Sequence, residues 1–460
     1  MNKKPNTLYT ASLALCALCS VSFSGCTAFL DVKPDRSLAI PHTLKDLQAI
    51  LDNETGRNTN YPFSGDVGSD YYYLSDADFS SRNEEARSLY LWHPQALAEQ
   101  DWRSAYSKIF DVNVVLEAVD DADQGSLPES ARGHIKGTAL FFRGWLFFQL
   151  AQLFAPPYDP AIAANLPGIP VRLTANIEAP TTRASLAETY GQVIEDLEGA
   201  ASLLPTATAV ATRPAKAAAH AALARVYLTM GDYMRSLQQA EASLALHDAL
   251  MDFNDLSISA NKPISVLNSE VLVHMQLPNG GGGFANTRAK VNPELHASYL
   301  EGDLRREVFF KRNTDGSYRF TGDYGTSTTA TTPFCGLATD EVYLTKAECL
   351  ARLGDAPAAM ETLNALLKTR WEADRFTPYA IDDPDEALDL VVSERCKELA
   401  FRGGIRWGDL KRLNKEPRFA KVLTRVIDGA TYELPPNDLR YTLLIPQSVI
   451  DQTGIEQNSR

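Results

Sequence analysis

The residues that could perform catalysis in this 460-residue chain form no recognisable catalytic motif. The sequence contains no H-E-x-x-H zinc motif, no G-x-S-x-G nucleophile motif and no G-x-x-x-x-G-K-[ST] phosphate-binding loop. Its seven histidines are scattered, and none pairs with another at metal-ligand spacing. The glycine run 280–283 is not followed by a lysine–hydroxyl pair, so it does not predict a phosphate site. The sequence therefore implies no cofactor and assigns no metal ligand.

Carboxylates are the remaining catalytic candidates. A glycosidase needs two carboxyl groups that flank the scissile bond, but such a pair has no characteristic spacing in sequence. Glu394, Glu398 and Asp409 lie in a helical stretch together with several arginines. We interpret these carboxylates as ion-pair partners around a packed helix. A surface glycosidase stays open as an alternative.

Aromatic residues in two loop-rich stretches favour binding over catalysis. The stretches 55–94 and 253–333 are rich in small polar residues and have no sustained hydrophobic period. Aromatic rings can stack on the apolar face of a sugar while polar neighbours bond its hydroxyl groups, and they suit peptides almost as well. We expect exposed rings from both stretches to form the ligand-binding surface, although any single ring could instead cover a helix. The candidates are Tyr71, Tyr72, Tyr73, Trp92, Tyr318, Phe320 and Tyr324.

The N-terminal residues predict export and a lipid anchor. Two lysines precede an apolar run that ends in Ser-Gly-Cys26, which resembles a bacterial lipobox. We expect residues 1–25 to be a signal peptide that is removed, Cys26 to be lipidated, and residues 26–42 to form an extended leash. Several acyl chains on one cysteine would hold the protein stably on a membrane. An ordinary secretory signal with an incidental cysteine is the alternative.

Charge and cysteine content exclude further classes. Without residues 1–25 the chain has 42 basic and 58 acidic residues, a formal net charge of −16. That balance argues against binding to nucleic acid and against adhesion to anionic lipid by charge. The remaining cysteines besides Cys26 are Cys335, Cys349 and Cys396, an odd number that precludes a complete disulfide framework. We expect Cys349 and Cys396 to be buried thiols, with a bridge between them as the alternative.

Helical periodicity predicts the scaffold that must position these residues. The segments 221–233 and 341–355 are self-similar, and each leads through a Gly-Asp turn directly into a second helix. In such a turn glycine supplies a left-handed C-cap and aspartate caps the next helix, as in a tetratricopeptide helix pair. We predict a mainly α-helical single domain over 43–460, with the two loop-rich stretches as insertions that carry few short strands. The predicted helix pairs are at about 131–204, 215–250, 340–370 and 386–414.

Several stretches of the chain, in the same order, resemble SusD/RagB surface lipoproteins of Bacteroidetes. They are Cys26-Thr-Ala-Phe-Leu-Asp-Val-Lys-Pro34; Trp102, Tyr106, Ile109 and Asn113; Ala222-Leu-Ala-Arg-Val-Tyr-Leu228; Glu394-Arg-x2-Glu-Leu-Ala-Phe401; Arg406-Trp407-x-Asp409-Leu-Lys411; and the tail with Leu444-Ile-Pro446-Gln-Ser448 and Gln457-Asn458. The resemblance implies a non-catalytic protein on the outer face of the outer membrane. Such a protein captures oligosaccharide and passes it to a SusC-type TonB-dependent transporter, for which it acts as a lid.

The resemblance also implies a division of labour within the fold. The helix pairs would mainly face the transporter, and the insertions would form the ligand site. An oligopeptide in place of the oligosaccharide is the alternative ligand. From another class, a tetratricopeptide-type protein-interaction scaffold without a small ligand stays open.

Overall fold

A computed structural model describes residues 41–278, 288–325 and 332–460 of the chain. The chain divides into two units, Met1–His42 and Thr43–Arg460, and the helices and strands given below all belong to the second. The predicted signal peptide, Cys26 and the leash up to residue 40 lie outside the described residues, and so does the glycine run 280–283.

Helices dominate the described part of the chain, which confirms the predicted fold class. The first half contains α1 (Leu44–Leu51), α2 (Glu54–Arg57), α3 (Ser64–Gly68), α4 (Asp76–Ser80), α5 (Glu84–Tyr90), α6 (Glu99–Ala118), α7 (Ser130–Phe154), α8 (Leu186–Leu203) and α9 (Lys216–Met230). The second half contains α10 (Tyr233–Leu246), α11 (Pro293–Ala297), α12 (Arg305–Phe309), α13 (Thr339–Arg352), α14 (Ala356–Leu367), α15 (Pro384–Glu398), α16 (Ile405–Leu413) and α17 (Gln447–Thr453). Single 3₁₀ turns lie at Phe253–Asp255 and Leu439–Tyr441.

The strands are short and pair two by two, all antiparallel. The pairs are β1 (Tyr72–Tyr73) with β3 (Lys290–Val291), β2 (Val271–Val273) with β6 (Leu337–Ala338), β4 (Phe310–Arg312) with β5 (Tyr318–Phe320), and β7 (Leu423–Ile427) with β8 (Ala430–Leu434). The β1–β3 pair joins the two predicted insertions to each other. The hairpins β4–β5 and β7–β8 are local.

The two Gly-Asp turns have the predicted geometry. Gly231 ends α9 in the left-handed region with a φ of 79°, and Gly354 after α13 has a φ of 91°. The side chains of Asp232 and Asp355 then accept a hydrogen bond from a backbone N–H in the first turn of α10 and α14. Two residues separate α9 from α10 and three separate α13 from α14, and each pair of helices packs side by side.

Helices α7 and α8 also pack against each other, as expected for the first pair. Gly144 makes their close approach possible, since an added Cβ would lie 2.9 Å from the Cβ of Asp196. The carboxylate of Asp196 accepts two hydrogen bonds from the guanidinium of Arg143, at 2.8 and 2.7 Å. The arginine that interrupts the apolar pattern of α7 thus points to a buried partner on α8.

The last predicted pair differs from the others. Helix α15 packs against α13 and α14, whereas α16 packs against the short helix α3. Trp407 of α16 lies on two glycines of α3, where an added Cβ would come within 2.8 Å of the tryptophan at Gly65 and 2.7 Å at Gly68. The packing of the Trp407 ring on Gly65 and Gly68 therefore holds α16 against the first insertion.

Buried arginines and carboxylates connect α15 to the second insertion. Arg370, which has no exposed surface, donates to Glu398 at 2.7 Å, to Glu270 at 2.7 Å and to the carbonyl of Met251 at 2.7 Å. The other oxygen of Glu398 accepts from Arg305 at 3.2 Å. We call these charged residues and their direct partners Asp303 and Glu394 the arginine network.

The structure settles two expectations about buried carboxylates and cysteines. Glu394, Glu398 and Asp409 are all buried and ion-paired to arginines, which confirms the interpretation of these carboxylates as partners around a packed helix. Cys349 is a buried free thiol as predicted, and Cys396 is a half-buried free thiol. The alternative of a bridge between Cys349 and Cys396 is therefore wrong.

Replacement of Arg370 by methionine should strongly destabilise the fold. The substitution leaves the carboxylates of Glu398 and Glu270 buried without their main partner, and breaking a buried ion pair from one side costs about 3–5 kcal/mol. Arg375→Met is the matched control, because the Arg375 side chain is about half exposed and pairs with the exposed Glu301. Chemical denaturation of both variants measures the difference. Equal free energies of unfolding for the two variants would contradict a stabilising role of the buried Arg370 ion pairs.

Candidate functional site

Most of the predicted ligand-binding rings are covered by protein. Tyr71, Tyr72, Trp92, Phe320 and Tyr324 retain only 2–5% of their surface. The expectation that these five rings are exposed is therefore wrong. A ring in this position cannot stack on a ligand in the described conformation, so each of the five needs a structural explanation.

Tyr72 and Trp92 enclose an arginine. The guanidinium carbon of Arg425, on the inward face of β7, lies 5.2 Å from the ring centre of Tyr72, 4.9 Å from that of Trp92 and 3.5 Å from that of Tyr90. Its N–H groups donate to the backbone carbonyls of Val67 and Ser69. Cation–π contact of this kind stabilises a buried guanidinium. The two rings thus hold the β7–β8 hairpin on the first insertion.

Tyr71 and Phe320 both stack on the ring of Phe401. The ring centres are 5.4 Å apart for Tyr71 and Phe401, and 4.6 Å apart for Phe320 and Phe401. Tyr71 comes from the first insertion and Phe320 from the second. The stack therefore fixes both insertions to the segment that joins α15 and α16.

Tyr324 belongs to the interior around the arginine network. Its hydroxyl donates to Glu270 at 2.8 Å, and the guanidinium carbon of Arg402 lies 4.7 Å from its ring centre. Arg402 in turn is ion-paired with the buried carboxylate of Asp340. The role of Tyr324 in this conformation is to complete a buried polar cluster.

The other two candidates, Tyr73 and Tyr318, lie at the surface where the insertions meet. Tyr73 is 39% exposed and lies opposite Lys290 in the β1–β3 pair, so the two side chains share one face. The ammonium of Lys290 donates to Asp315, in the turn of the β4–β5 hairpin, at 2.7 Å. Tyr318 of β5 is half-buried.

The imidazole of His296 packs against one face of the Tyr318 ring. The rings of His296 and Tyr318 are stacked, with centres 3.7 Å apart and planes inclined by 19°. Burial, with the positive charge of Arg306, lowers the pKa of His296, so that its imidazole is uncharged at neutral pH. We call the surface formed by Tyr73, Lys290, His296, Asp315 and Tyr318 the Tyr73–Tyr318 surface.

The charges on this surface are fixed by each other. The hydrogen bond from Lys290, together with those from the Ser317 hydroxyl and amide, holds the pKa of Asp315 well below its usual range. The same contact with Asp315 raises the pKa of Lys290. Both groups therefore stay charged at neutral pH. Such a surface offers tyrosine faces for stacking, with donors and acceptors beside them for hydroxyl or amide groups.

The polar residues of this surface were not identified from the sequence. Lys290, His296 and Asp315 stand in loop-like sequence without a motif. One signal was available, because an Asp-Gly pair such as Asp315-Gly316 is typical of a hairpin turn, and Gly316 has a φ of 87°. That hairpin brings Tyr318 back alongside Arg312 in the β4–β5 register.

A metal cluster and a membrane-spanning helix are absent from the described part of the chain. Residues 41–278, 288–325 and 332–460 contain no cluster of three His, Cys, Asp or Glu side chains that could hold a metal ion. Over the same residues, no helix combines the length and the apolar character needed to cross a membrane.

The helix pairs define a helical-repeat fold, and the Tyr73–Tyr318 surface is its candidate binding site. Comparison with known proteins specifies the class further: residues 28–228 match a family model described as "Starch-binding associating with outer membrane" (SusD-like_3), and residues 307–457 match the SusD family model (SusD_RagB). These two matches together cover most of the chain. The protein belongs to the SusD/RagB family. As a member of this family it is a binding protein and not an enzyme.

Individual relatives agree with the family and the fold. The chain is 23% identical over 436 residues to SusD-like protein P2 of Formosa agariphila, with 81% of this chain and 84% of the relative covered. A putative sugar binding protein from Bacteroides vulgatus superposes with a TM-score of 0.76 at 20% identity, covering 91% of this chain and 99% of that one. A laminarin binding SusD-like protein superposes with a TM-score of 0.64 at 18% identity, covering 90% and 97%. These superpositions show that the fold is shared.

Removal of the Tyr324 hydroxyl should destabilise the protein, whereas removal of the Tyr73 hydroxyl should not. Tyr324→Phe leaves a buried oxygen of Glu270 without its donor, which costs about 1–3 kcal/mol. Tyr73→Phe is the control, because its side chain is exposed to solvent. Thermal and chemical unfolding of the two variants measures the difference. If Tyr324→Phe unfolds like the unmodified protein, the buried position of Tyr324 is contradicted.

Proposed function

We propose that this protein captures oligosaccharide at the Tyr73–Tyr318 surface and delivers it to a SusC-type TonB-dependent transporter in the outer membrane, over which it acts as a lid. The observation that supports this ligand site is that Tyr73 and Tyr318 lie at the surface where the two insertions meet, beside the ion pair of Lys290 and Asp315. The family model and the sugar-binding and laminarin-binding neighbours support a carbohydrate as the ligand class.

The chemistry of the surface suits a sugar chain in two ways. A pyranose ring has apolar C–H faces that pack on the faces of Tyr73 and Tyr318, and its hydroxyl groups both donate and accept hydrogen bonds. The Lys290 ammonium and the Asp315 carboxylate supply one donor and one acceptor side by side. Because each charge already has its partner, a neutral ligand can bind there without leaving a charge uncompensated.

An oligopeptide is the alternative ligand for the same role. Peptide groups also carry a donor and an acceptor, and tyrosines bind peptides well. The ammonium of Lys290 could bind the carboxylate terminus of a peptide, and the carboxylate of Asp315 could bind its amino terminus. A scaffold that binds only a protein partner would use neither tyrosine for a small ligand.

The position on the cell surface follows from the N-terminal residues. We propose that Cys26 is lipidated after removal of residues 1–25 and that residues 26–42 act as a leash. Members of the family are associated with the outer membrane. A lipid anchor on a leash would let a lid swing away from its transporter without loss of the protein.

Binding assays with single substitutions test the ligand surface. Tyr73→Ala and Tyr318→Ala should each weaken oligosaccharide binding by about tenfold, because a central aromatic contact is worth about 1–2 kcal/mol. Tyr432→Ala is the matched control, since Tyr432 on β8 is 37% exposed and is not part of the surface. Isothermal titration calorimetry with maltooligosaccharides, laminarin oligosaccharides and a peptide mixture measures the affinities.

Three outcomes distinguish the candidate functions. Binding of an oligosaccharide that both tyrosine variants weaken supports the proposal. Binding of peptides alone, with the same pattern among the variants, supports the alternative ligand. Binding of neither class, while a transporter co-purifies, supports the scaffold.

Replacement of Cys26 should release the protein from the membrane. Cys26→Ser removes the thiol to which the lipid is attached, and several acyl chains account for stable anchoring. Membrane fractionation and mass spectrometry of the mature N-terminus check this expectation. An unmodified N-terminus at another residue in the unaltered protein would contradict lipidation at Cys26.

A further inference from the structure

A cleft of about 300 Å³ lies away from the Tyr73–Tyr318 surface, and it shares no residue with that surface. Three segments form its walls: the loop 156–166 after α7, the end of α16, and residues 437–442 after β8. A volume of this size is at the lower end of the range for small-molecule sites. We call it the Lys411 cleft.

Part of the lining is aliphatic and open to solvent. Ile162 is 47% exposed and Leu439 is 53% exposed, and Leu166, Pro156 and Pro157 also line the cleft. Exposed large apolar side chains are unremarkable singly, but here they converge on one concavity. The cleft therefore offers an apolar bed for part of a ligand.

The lining of the cleft also contains a buried amine. Lys411 keeps only 4% of its surface, and its Nζ donates to the carbonyls of Gln152 and Ala155 at 2.7 and 2.6 Å. Within the described residues no carboxylate forms an ion pair with it, and burial lowers its pKa to about 7. An ammonium has three donors, so two carbonyls leave one N–H group available.

The acidic residues that line the cleft do not supply the missing partner. Asp438 is engaged by Arg440, at 2.8 Å to each of its oxygens. Asp159 accepts from the backbone N–H of Ala161 in its own loop. Lys415, which lies on the same side as Lys411, adds a second positive charge. Among the described residues that line the cleft, Lys411 is thus a buried cation without a carboxylate partner, and an anion in the cleft would supply one.

We propose that the Lys411 cleft binds a small organic carboxylate whose apolar body lies against Ile162 and Leu439 and whose carboxylate accepts a hydrogen bond from Lys411. Placing an anion beside a buried amine stabilises the charged form of both groups. The ligand is thus distinct from a neutral oligosaccharide in both charge and polarity. This inference does not rest on the proposed function.

Three six-carbon probes with an acidic, a neutral and a basic head group test the charge of the site. Hexanoate should bind at least about tenfold more tightly than hexan-1-ol, and hexylamine should bind most weakly. Ligand-observed NMR titration of the purified protein measures the three affinities. Equal binding of hexanoate and hexan-1-ol would overturn the proposal, because the cleft would then be merely apolar.

Substitutions locate the binding. Leu439→Trp should fill the cleft and abolish hexanoate binding, whereas Leu267→Trp, at a leucine that is also 53% exposed but outside the lining, should leave it intact. Lys411→Met should reduce hexanoate binding to the level of hexan-1-ol. If that variant fails to fold, because Lys411 also bonds the last carbonyls of α7, Leu439→Trp still decides. Unchanged hexanoate binding in Leu439→Trp would overturn the proposal.

Discussion

The burial of Arg370 among carboxylates is the interaction on which the rest of this structure depends. Glu398, at the end of α15, receives Arg370 on one oxygen and Arg305 on the other. Arg370 also bonds Glu270, just before β2. A buried guanidinium without its partners would be costly, so the helix pair α13–α14, helix α15 and the second insertion must come together in one arrangement. Stability of the scaffold and position of the insertion are therefore coupled.

The arginine network also fixes the position of the proposed binding surface. Arg305 opens α12, and α12 runs directly into β4, whose hairpin carries Asp315 and Tyr318. Phe320 at the end of that hairpin stacks on Phe401, while Tyr71, next to β1, stacks on the same ring. The first and second insertions are thus joined by their shared contact with Phe401 and by the β1–β3 pair. The buried rings of Tyr71 and Phe320 thus fix the positions of the strands that carry Tyr73 and Tyr318.

Much of the scaffold could be predicted from the sequence, and the exposure of its aromatic residues could not. Gly231 and Gly354 act locally, so their turns follow from two residues and their neighbours. Whether Tyr72 is exposed depends on Arg425, which is more than 350 positions away in the chain. No local pattern reports such a partner. The contact of α16 with α3 could not be predicted for a similar reason, because Trp407 packs on Gly65 and Gly68 in the first insertion.

We propose that this protein holds an oligosaccharide between Tyr73 and Tyr318. A crystal structure of the protein with the oligosaccharide that binds most tightly in calorimetry would show the contacts directly. We expect sugar rings on the faces of both tyrosines, with hydroxyl groups bonded to Lys290 or Asp315. Sugar bound elsewhere, with both tyrosines free of contact, would contradict it.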